Sequence, residues 1–295
     1  MKDRRFAYLT KLGVMDGWTD EKFLIRKYRS IFTKKLDLDH PITFNEKLQW
    51  LKLYDRRPEY TVMADKYRVR EYIANTLGEE YLIPLLGVWD DPEEIDFDKL
   101  PEQFVLKCNH NSGLGMYICR NKSGMDIGKV KKDLRKGLKQ NYYLTGREWP
   151  YKDIPRKIIC EQYMTNNGKE LADYKIHCFN GEPKMILVCR DRFAESGLTE
   201  DFFTETWEHL PVKRPNIPQA KLQIEKPVQL EQMLTFARKL SQGIPFVRVD
   251  FYVIEGGIYF GELTFFPASG MAPFVPESWD ETFGNWLQLP GKNGA

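Results

Sequence analysis

The sequence predicts an α+β protein in which a helical N-terminal part precedes a strand-rich remainder. Asp20 is the expected N-cap of a helix in which apolar residues recur at helical spacing, and Thr43 followed by Glu46 makes the capping-box pattern of a further helix start. From Tyr81 onward, short apolar runs alternate with polar or glycine-containing turns, which is typical of strands. A chain of 295 residues is longer than one compact unit usually needs, so we expect two or three lobes around a shared cleft.

The N-terminal segment carries a basic charge that the rest of the chain lacks. Residues 1–36 contain ten Lys or Arg and four Asp or Glu, a net charge of +6, whereas the whole chain carries +2. This overall charge is too small to favour nucleic-acid binding. We expect a helix that docks on the protein and exposes a solvated basic face. A patch for a membrane surface or an acidic partner is the alternative.

The sequence disfavours both membrane insertion and disulfide bonding. No stretch reaches the roughly 18 apolar residues of a membrane span, and the basic start lacks the apolar segment of a secretory signal. The five cysteines are scattered and form no CxxC pair, which indicates reduced, buried thiols and neither a disulfide nor a zinc site. We expect a cytoplasmic protein, with peripheral attachment to the inner membrane face through the basic N-terminus as a further hypothesis.

Helical and irregular segments divide the strand-like runs of the chain. These runs are YLIPLLGVW, FVLKCNH, GMYICR, KIICEQYM, DYKIHCF and PKMILVCR, followed by the pair FVRVDFYVI and IYFGELTFF. Periodicity predicts helices over residues 128–140 and 230–240. Asn180-Gly181 predicts a tight hairpin turn. Residues 195–227 are charged, aromatic and proline-rich, and they predict an irregular loop at the active site.

The final hairpin is the most informative stretch. Ile254 and Ile258 flank a predicted three-residue loop, and this closure places Asp250 opposite Glu262. Facing side chains have Cβ atoms about 4.5–5.5 Å apart, where like charges repel, so the pair requires a cation. Magnesium suits two carboxylates, and Arg248, on the same face as Asp250, can reach a phosphoryl group. The alternative is that Arg248 merely neutralises Asp250 while Glu262 faces solvent.

The pattern R-x-D-F followed by E-x-T-x-x-P-x-S-G resembles the magnesium hairpin of the ATP-grasp family, which usually reads E-x-N-x-x-P. The resemblance implies an ATP-grasp fold, in which two α+β subdomains grip ATP. It implies that Asp250 and Glu262 hold magnesium and that Arg248 steadies the transferring phosphoryl group. Thr264 stands at the usual Asn position and would be the third metal ligand. Ser269 would lie in the loop that meets the acyl phosphate.

Candidates for the nucleotide site precede this hairpin. Lys107 is placed on a strand to reach ATP, and the turn after it contains Asn111, Ser112 and Gly113, where backbone amides can approach phosphates. Taken alone, a glycine-containing hairpin is most often just a turn. ADKYRVREY looks like the DK-x-x-x-K helix of the D-alanine ligase branch, which implies that Arg70 is a second basic phosphate contact. An exposed charged helix is the alternative.

KIICEQYM resembles the linker between the two ATP-grasp subdomains, where the adenine binds. The resemblance implies that Gln162 and Tyr163 present backbone groups to the adenine edge and that Glu161 is available to a ribose hydroxyl. Downstream, alternation places Lys175 and His177 on one face of a strand. Lys175 is a further candidate for phosphate binding and catalysis. His177 is either a base for an incoming amine or, as we expect, a buried histidine with its hydrogen bonds satisfied.

The subgroup that the chain resembles is the TupA-like ATP-grasp proteins, which are associated with teichuronopeptide and capsule biosynthesis. The resemblance runs from about Leu38 to Leu289 and rests on TFNEKLQWLK, ADKYRVREY, FVLKCNHNSG, DYKIHCFNG and GELTFFPASGMAPF. We expect a helical N-terminal segment over residues 1–60, an ATP-grasp subdomain with the phosphate flap over 61–160, and a second subdomain with the magnesium hairpin over 161–295.

The resemblance implies an ATP- and Mg²⁺-dependent ligase that phosphorylates a carboxylate and joins the acyl phosphate to an amine. The carboxylate would be a uronic acid of a bacterial surface polysaccharide, or an amino acid attached to it. The alternatives are a kinase of sugar hydroxyls, a metal-dependent glycosyltransferase that cleaves a nucleotide sugar, and a non-catalytic scaffold in polysaccharide assembly. We favour the ligase because Lys107, Arg248, Asp250 and Glu262 form a set that no alternative uses in full.

Overall fold

The computed structural model describes residues 4–166, 171–190 and 197–291. Within these ranges, helices frame two antiparallel sheets, which confirms the predicted α+β class. The helices are α1 (Arg4–Lys11), α2 (Asp20–Phe32), α3 (Phe44–Tyr54), α4 (Glu59–Ala64), α5 (Val69–Thr76), α6 (Ile127–Lys139), α7 (Tyr143–Gly146), α8 (Leu230–Ser241) and α9 (Ser278–Trp286). The strands are β1 (Leu85–Trp89), β2 (Phe104–Cys108), β3 (Met116–Cys119), β4 (Ile158–Gln162), β5 (Asp173–Phe179), β6 (Glu182–Arg190), β7 (Thr199–Thr204), β8 (Phe246–Ile254) and β9 (Gly257–Thr264).

The N-terminal helices begin at residues that satisfy free backbone amides. Thr19, and not Asp20 as expected, is the N-cap of α2, and its hydroxyl accepts from the amide of Lys22 at 3.4 Å. The capping box predicted for Thr43 and Glu46 is present at the start of α3. The buried face of α2 packs with α1 in a small apolar cluster of its own. This cluster anchors the basic N-terminal segment to the body of the protein.

The first sheet has the strand order β1-β4-β2-β3, and its neighbouring strands are antiparallel. Helix α6 packs on one face, where Val130 and Leu134 form a cluster with Phe104 and Leu106. Because side chains alternate along a strand, Lys107 points to the opposite face of β2. That second face is the one available to a ligand.

The second sheet has the order β7-β6-β5-β8-β9, and α8 packs on one of its faces. The hairpin predicted at Asn180-Gly181 joins β5 to β6, with φ of 51° and 85° at these two residues. The irregular loop predicted for residues 195–227 is wrong in part, since β7 lies within it and pairs with β6 at the sheet edge. Residues 195 and 196 lie outside the described part of the chain.

The two sheets border one cleft. Leu82, just before β1, bridges to Phe260 on β9 and so ties the two sheets together. Lys66, in the turn before α5, lies within electrostatic reach of Glu262 on the second sheet and of Glu161 on the first. The apolar clusters of the two sheets are separate, so the cleft runs between two cores. The domain boundaries predicted at residues 60 and 160 stay predictions.

Two further sequence expectations concern membranes and thiols. In the described ranges, every helix is too short or too polar to cross a membrane. All five cysteines lie in these ranges, where they are buried and form no disulfide. The buried thiols agree with the interpretation of their scattered positions in the sequence.

Candidate functional site

The β8–β9 hairpin brings the predicted carboxylate pair together. Asp250 and Glu262 face each other in the ladder, as the sequence predicts. The turn contains only Glu255 and Gly256, with φ of 50° and 84°, and not the three residues expected. A bulge beside Asp250 absorbs the one-residue difference. The predicted pairing at the site is therefore correct, although the predicted loop length is wrong.

The guanidinium of Arg248 lies at the centre of this pair. Its Nε donates to Asp250 Oδ1 at 2.6 Å and its Nη2 to Asp250 Oδ2 at 2.7 Å. The same Nη2 lies 2.7 Å from Glu262 Oε1 and 3.1 Å from the hydroxyl of Thr264. Arg248 Nη2 therefore contacts all three residues that are predicted as metal ligands. They lie on the face of the second sheet that α8 does not cover.

Lys175 joins the network from the neighbouring strand β5. Its Nζ lies 2.5 Å from Asp250 Oδ2 and 2.5 Å from Asp173 Oδ2. His177 is buried two residues further on, and its Nδ1 lies 3.0 Å from the backbone oxygen of Lys175. Burial and the charge of Arg248 lower the pKa of this imidazole well below its usual range. The structure therefore places Lys175 in the carboxylate network and a neutral, buried His177 beside it.

Nearby cations decide the charge state of Glu262. Burial raises the pKa of its carboxyl, but the charges of Arg248, Lys66 and Lys175 outweigh burial and bring the pKa to about 2. For Lys175, burial lowers the pKa and Asp250 raises it, with a net rise. Glu262 and Lys175 are therefore both charged at neutral pH. The site combines fixed negative and positive charges, as binding of a metal and a phosphate group requires.

The oxygen donors at this hairpin are of the kind that magnesium prefers. The hydroxyl of Thr264 lies 3.0 Å from Glu262 Oε1, and both oxygens of Asp250 are bound by Arg248. The side chain of Glu262 is 36% exposed and so is accessible to an ion. Among the residues that the structure describes, no group of three or more His, Cys, Asp or Glu side chains surrounds a metal position. The residues fit magnesium held by two carboxylates with phosphate and water as further ligands, and Thr264 stays a predicted ligand.

Lys107, Arg70 and Glu161 form a second charged group on the first sheet. Lys107 Nζ lies 2.6 Å from Glu161 Oε2, and Arg70 Nη1 lies 3.7 Å from Glu161 Oε1. Arg70 also donates from Nη2 to the backbone oxygen of Ile83 at 2.9 Å. The structure thus brings together three of the predicted nucleotide contacts. Glu161 is the anion that both cations share.

Gln162 and Tyr163 lie where the chain leaves the first sheet. The amide of Gln162 donates to the backbone oxygen of Pro84 at 3.0 Å, so this amide is not available to an adenine edge. Tyr163 follows the last residue of β4 and belongs to no strand. Contacts to adenine from the Gln162 carbonyl and from Tyr163 stay predictions.

The turn between β2 and β3 is anchored at one residue and exposed at the next. The side chain of Asn111 is buried, and its Nδ2 donates to Gln140 Oε1 at 3.0 Å, just beyond α6. Ser112 and Gly113 are exposed, and a Cβ on Gly113 would meet open space. Asn111 holds the turn in place, while Ser112 and Gly113 form the part that a phosphate can approach.

Lys66 is the lysine of the Asp-Lys pair in the DK-x-x-x-K resemblance, but no role was predicted for it. Its Nζ donates to the backbone oxygen of Asn111 at 2.7 Å, which links it to the β2–β3 turn. Burial lowers the pKa of its ammonium group, although the charge of Glu262 opposes this shift. The signal was the Asp-Lys pair in ADKYRVREY. The Asp65 carboxylate accepts from the amides of Tyr67 and Arg68 at 2.9 and 3.3 Å, which shapes the turn that carries Lys66.

The loop after β9 is held by a lysine that the sequence analysis also missed. Ala268, Ser269 and Gly270 have φ of 49°, 59° and 57°, a left-handed run that favours glycine. Lys52 on α3 is fully buried, and its Nζ donates to Ser269 O at 2.8 Å, to Ser269 Oγ at 3.0 Å and to Gly146 O at 2.8 Å. Lys52 therefore joins the predicted catalytic loop to the end of α7.

A carboxylate pair on an antiparallel hairpin thus faces a turn that carries a lysine, across one cleft. This arrangement is the one expected of an ATP-grasp fold. The chain belongs to the TupA-like ATP-grasp family, whose family model matches residues 46–288. The predicted family and the ATP-grasp fold are therefore confirmed. Helices α1 and α2 precede the matched residues. Comparison with curated protein sequences gives no match.

Several solved structures are similar to this chain. One is a D-alanine–D-alanine ligase from Bacillus anthracis complexed with ATP, with 18% identity over 69% of this chain and 55% of that chain, and a TM-score of 0.40. Another is a D-alanine–D-alanine ligase from Helicobacter pylori, with 14% identity over 84% of this chain and 69% of that chain, and a TM-score of 0.46. A third is the ATP-grasp ligase PsnB complexed with a precursor variant, Mg and ADP, with 12% identity over 87% of this chain and 65% of that chain, and a TM-score of 0.41. The chain spans about half the length of the first of these structures.

Proposed function

We propose that this protein is an ATP- and Mg²⁺-dependent carboxylate–amine ligase. The observation that carries the proposal is the convergence of Arg248, Asp250 and Glu262 on one hairpin, in a member of the TupA-like ATP-grasp family. Lys66 and Lys107 supply positive charge from the other side of the same cleft. Together these residues suit a triphosphate and the metal ions that accompany it.

The chain's own residues act mainly by positioning and by electrostatics. Arg248 binds the γ-phosphoryl oxygens, and Lys66 and Lys107 bind the remaining phosphates. Mg²⁺ held by Asp250 and Glu262 would supply neutralisation of the phosphate charge. A substrate carboxylate oxygen attacks the γ-phosphorus and ADP leaves. An amine then attacks the acyl phosphate at its carbonyl carbon, and inorganic phosphate leaves.

The proposed acid is a uronic acid of a bacterial surface polysaccharide, or an amino acid attached to it. The proposed amine is an amino acid or an amino sugar. Support comes from the TupA-like family match, together with the sequence resemblance, which implies work on such polymers. The exposed Lys22, Arg26 and Arg29 on α2 support peripheral attachment to the anionic inner face of the membrane. The proposed substrates and the proposed membrane attachment can each be tested separately from ATP binding.

Calorimetry of Mg²⁺–ATP binding tests the nucleotide site. The wild type is compared with Asp250→Asn/Glu262→Gln and with the surface variant Glu225→Gln, and circular dichroism verifies that all three are folded. We expect Mg²⁺-dependent binding by the wild type and by Glu225→Gln, and none by the double variant. A folded wild type that does not bind Mg²⁺–ATP contradicts the proposal.

Release of ADP with pairs of uronic acids and amino acids tests the reaction. Release that requires both an acid and an amine supports the ligase. Phosphorylation of a sugar without any amine, giving a stable phosphoester, identifies a kinase instead. Cleavage of a nucleotide sugar without ATP identifies a glycosyltransferase.

A further inference from the structure

Residues 142–151 form a wall beside the magnesium hairpin and carry a carboxylate that the mechanism above does not use. Glu148 in this wall is 4% exposed. Tyr142 and Tyr151 each lie within electrostatic reach of Glu148 and of Glu262 on β9. Their two rings pack edge to face, with centroids 5.0 Å apart. The two phenols and Glu148 therefore border the same end of the cleft as the predicted metal ligands.

Gly146 brings the Glu148 carboxylate to the loop after the hairpin. A Cβ on Gly146 would lie 2.2 Å from Ser269 Oγ and 2.8 Å from Glu148 Oε1, so glycine alone fits between them. The hydroxyl of Ser269 donates to Gly146 O at 3.4 Å, and its proximity to Glu148 lowers the pKa of that carboxyl, against the larger effect of burial. The carboxylate thus reaches the loop that, by family resemblance, meets the acyl phosphate.

Residues that precede the family match hold this wall in place. Lys27 on α2 donates to the backbone oxygen of Thr145 at 2.7 Å. Arg147 is buried, and its Nη2 donates to the backbone oxygen of Met15 at 2.7 Å. Lys52, which lies within the family match, also donates to the backbone oxygen of Gly146 at 2.8 Å. These hydrogen bonds hold the wall rigidly in place. A surface that positions a reacting group needs such rigidity.

We propose that Glu148 binds the amine substrate and accepts its proton when the amine attacks the acyl phosphate. This inference rests on the ligase function proposed above. A primary amine arrives as an ammonium ion, which a buried carboxylate attracts, and it must lose a proton to become a nucleophile. Glu148 takes one proton from the ammonium ion, and the free amine then forms the N–C bond. The C–O bond to phosphate breaks with its electron pair on the phosphate oxygen, and the second N–H proton leaves on that phosphate.

Charged and titratable groups face Glu148 from several elements. Lys27 on α2 and Lys52 on α3 are the cations, Glu262 on β9 is the anion, and Tyr142 and Tyr151 supply the phenols. Burial raises the pKa of the Glu148 carboxyl, and Lys52 opposes this rise. Burial also lowers the pKa of the Lys52 ammonium group to about 7. A carboxylate whose pKa is raised is a stronger base and so a better proton acceptor for catalysis.

The test separates formation of the acyl phosphate from attack by the amine. Wild type, Glu148→Gln and the surface control Glu225→Gln are assayed with the acid and amine found in the ADP screen. In parallel, hydroxylamine traps the acyl phosphate as a hydroxamate, and it needs no base because it is uncharged near neutral pH. We expect Glu148→Gln to keep Mg²⁺–ATP binding and hydroxamate formation but to lose amide formation by about 100-fold or more. Amide formation should recover as the pH approaches the pKa of the amine.

Two results overturn the inference while the ligase function stands. One is amide formation by Glu148→Gln at the wild-type rate. The other is an equal loss of hydroxamate and amide with no recovery at high pH, as expected if Glu148 merely neutralises Lys52. Glu148→Asp keeps a carboxylate and should form more amide than Glu148→Gln. If Glu148→Gln does not fold, amide and hydroxamate formation are compared in Glu148→Asp instead. A wild type that forms neither ADP nor hydroxamate with any acid contradicts the ligase proposal, and this inference with it.

Discussion

Arg248 binds both oxygens of Asp250, with Nε 2.6 Å from Oδ1 and Nη2 2.7 Å from Oδ2. The same Nη2 also binds Glu262, the residue opposite Asp250 in the hairpin. Facing like charges destabilise a sheet, so the guanidinium is a structural counterion in addition to a candidate phosphoryl ligand. A metal ion at the carboxylates would share this counterion role with Arg248.

Replacement of Arg248 should make the fold depend on a metal ion. In Arg248→Met two facing carboxylates lose their shared guanidinium, and we expect a loss of about 3–5 kcal/mol in the free energy of unfolding. Mg²⁺ should restore more stability to this variant than it adds to the wild type. Urea denaturation with and without Mg²⁺ measures both effects. Arg238→Met, at an exposed ion pair with Glu182, is the control and should change little. An equal gain from Mg²⁺ in variant and wild type would argue against a metal site here.

Lys107 should contribute to binding of the nucleotide. Loss of a charged hydrogen bond to phosphate is expected to weaken Mg²⁺–ATP binding about 10- to 100-fold in Lys107→Met. Lys99→Met serves as the control, because Lys99 pairs with Asp96 on the surface. Calorimetry gives the two dissociation constants. If Lys107→Met binds as tightly as the control, the role of Lys107 is to neutralise Glu161 and no more.

Gly146 should tolerate no side chain. The methyl group of Gly146→Ala would meet Ser269 Oγ and Glu148 Oε1, and we expect a loss of about 1–3 kcal/mol in the free energy of unfolding. Gly124→Ala is the matched control, because a Cβ there meets nothing within 4 Å. Urea denaturation compares the two variants. Equal stability of both would show that the wall does not pack on the Ser269 loop as described.

The stability of the protein should fall in mild acid because of His110. This residue is 1% exposed, and burial lowers its pKa from 6.5 to about 4, so the unfolded chain binds the proton more readily. Stability contributed by the neutral imidazole is complete above pH 6.5 and is lost as the pH falls toward 4. The loss is about 1.4 kcal/mol for each pH unit at most, or about 2 kcal/mol at pH 5.

His110→Gln tests this expectation, since glutamine can donate toward the backbone oxygen of Gln140, which lies 3.1 Å from His110 Nε2, without titrating. The free energy of unfolding is measured at pH 7 and at pH 5. The wild type should lose more stability than the variant between these two values. Parallel losses would show that other groups cause the acid sensitivity.

The hairpin shows how much of the site follows from sequence. Alternation and a short turn predicted the pairing of Asp250 with Glu262 and placed Arg248 on the same face, and the family pattern added Thr264. The error of one residue in the loop left that pairing intact because a bulge compensates at Gly261. A Cβ there would lie 3.1 Å from Asp250 O, a close approach that depends on the partner strand. Local sequence cannot report such a contact.

Residues that act through distant partners were the ones missed. Lys52 meets Ser269, 217 positions away, and nothing in the local pattern of α3 marks it as a buried lysine. Glu148 sits between an arginine and a tryptophan in a short irregular segment without periodicity. Strand β7 was missed because its burial comes from pairing with β6 at the sheet edge, not from a repeating apolar pattern of its own.

Asp20 connects the N-terminal helices to the wall formed by residues 142–151. Its carboxylate accepts from Tyr143 and from Arg56, and it lies 3.7 Å from Arg147 Nη1. A chain trimmed to the family-matched residues 46–288 would keep the buried guanidinium of Arg147 and lose its anion. Effects of substitutions at Asp20 and in the wall should therefore be non-additive, because they act through one shared carboxylate. The smallest fragment expected to keep this structure therefore includes residues that precede the family match.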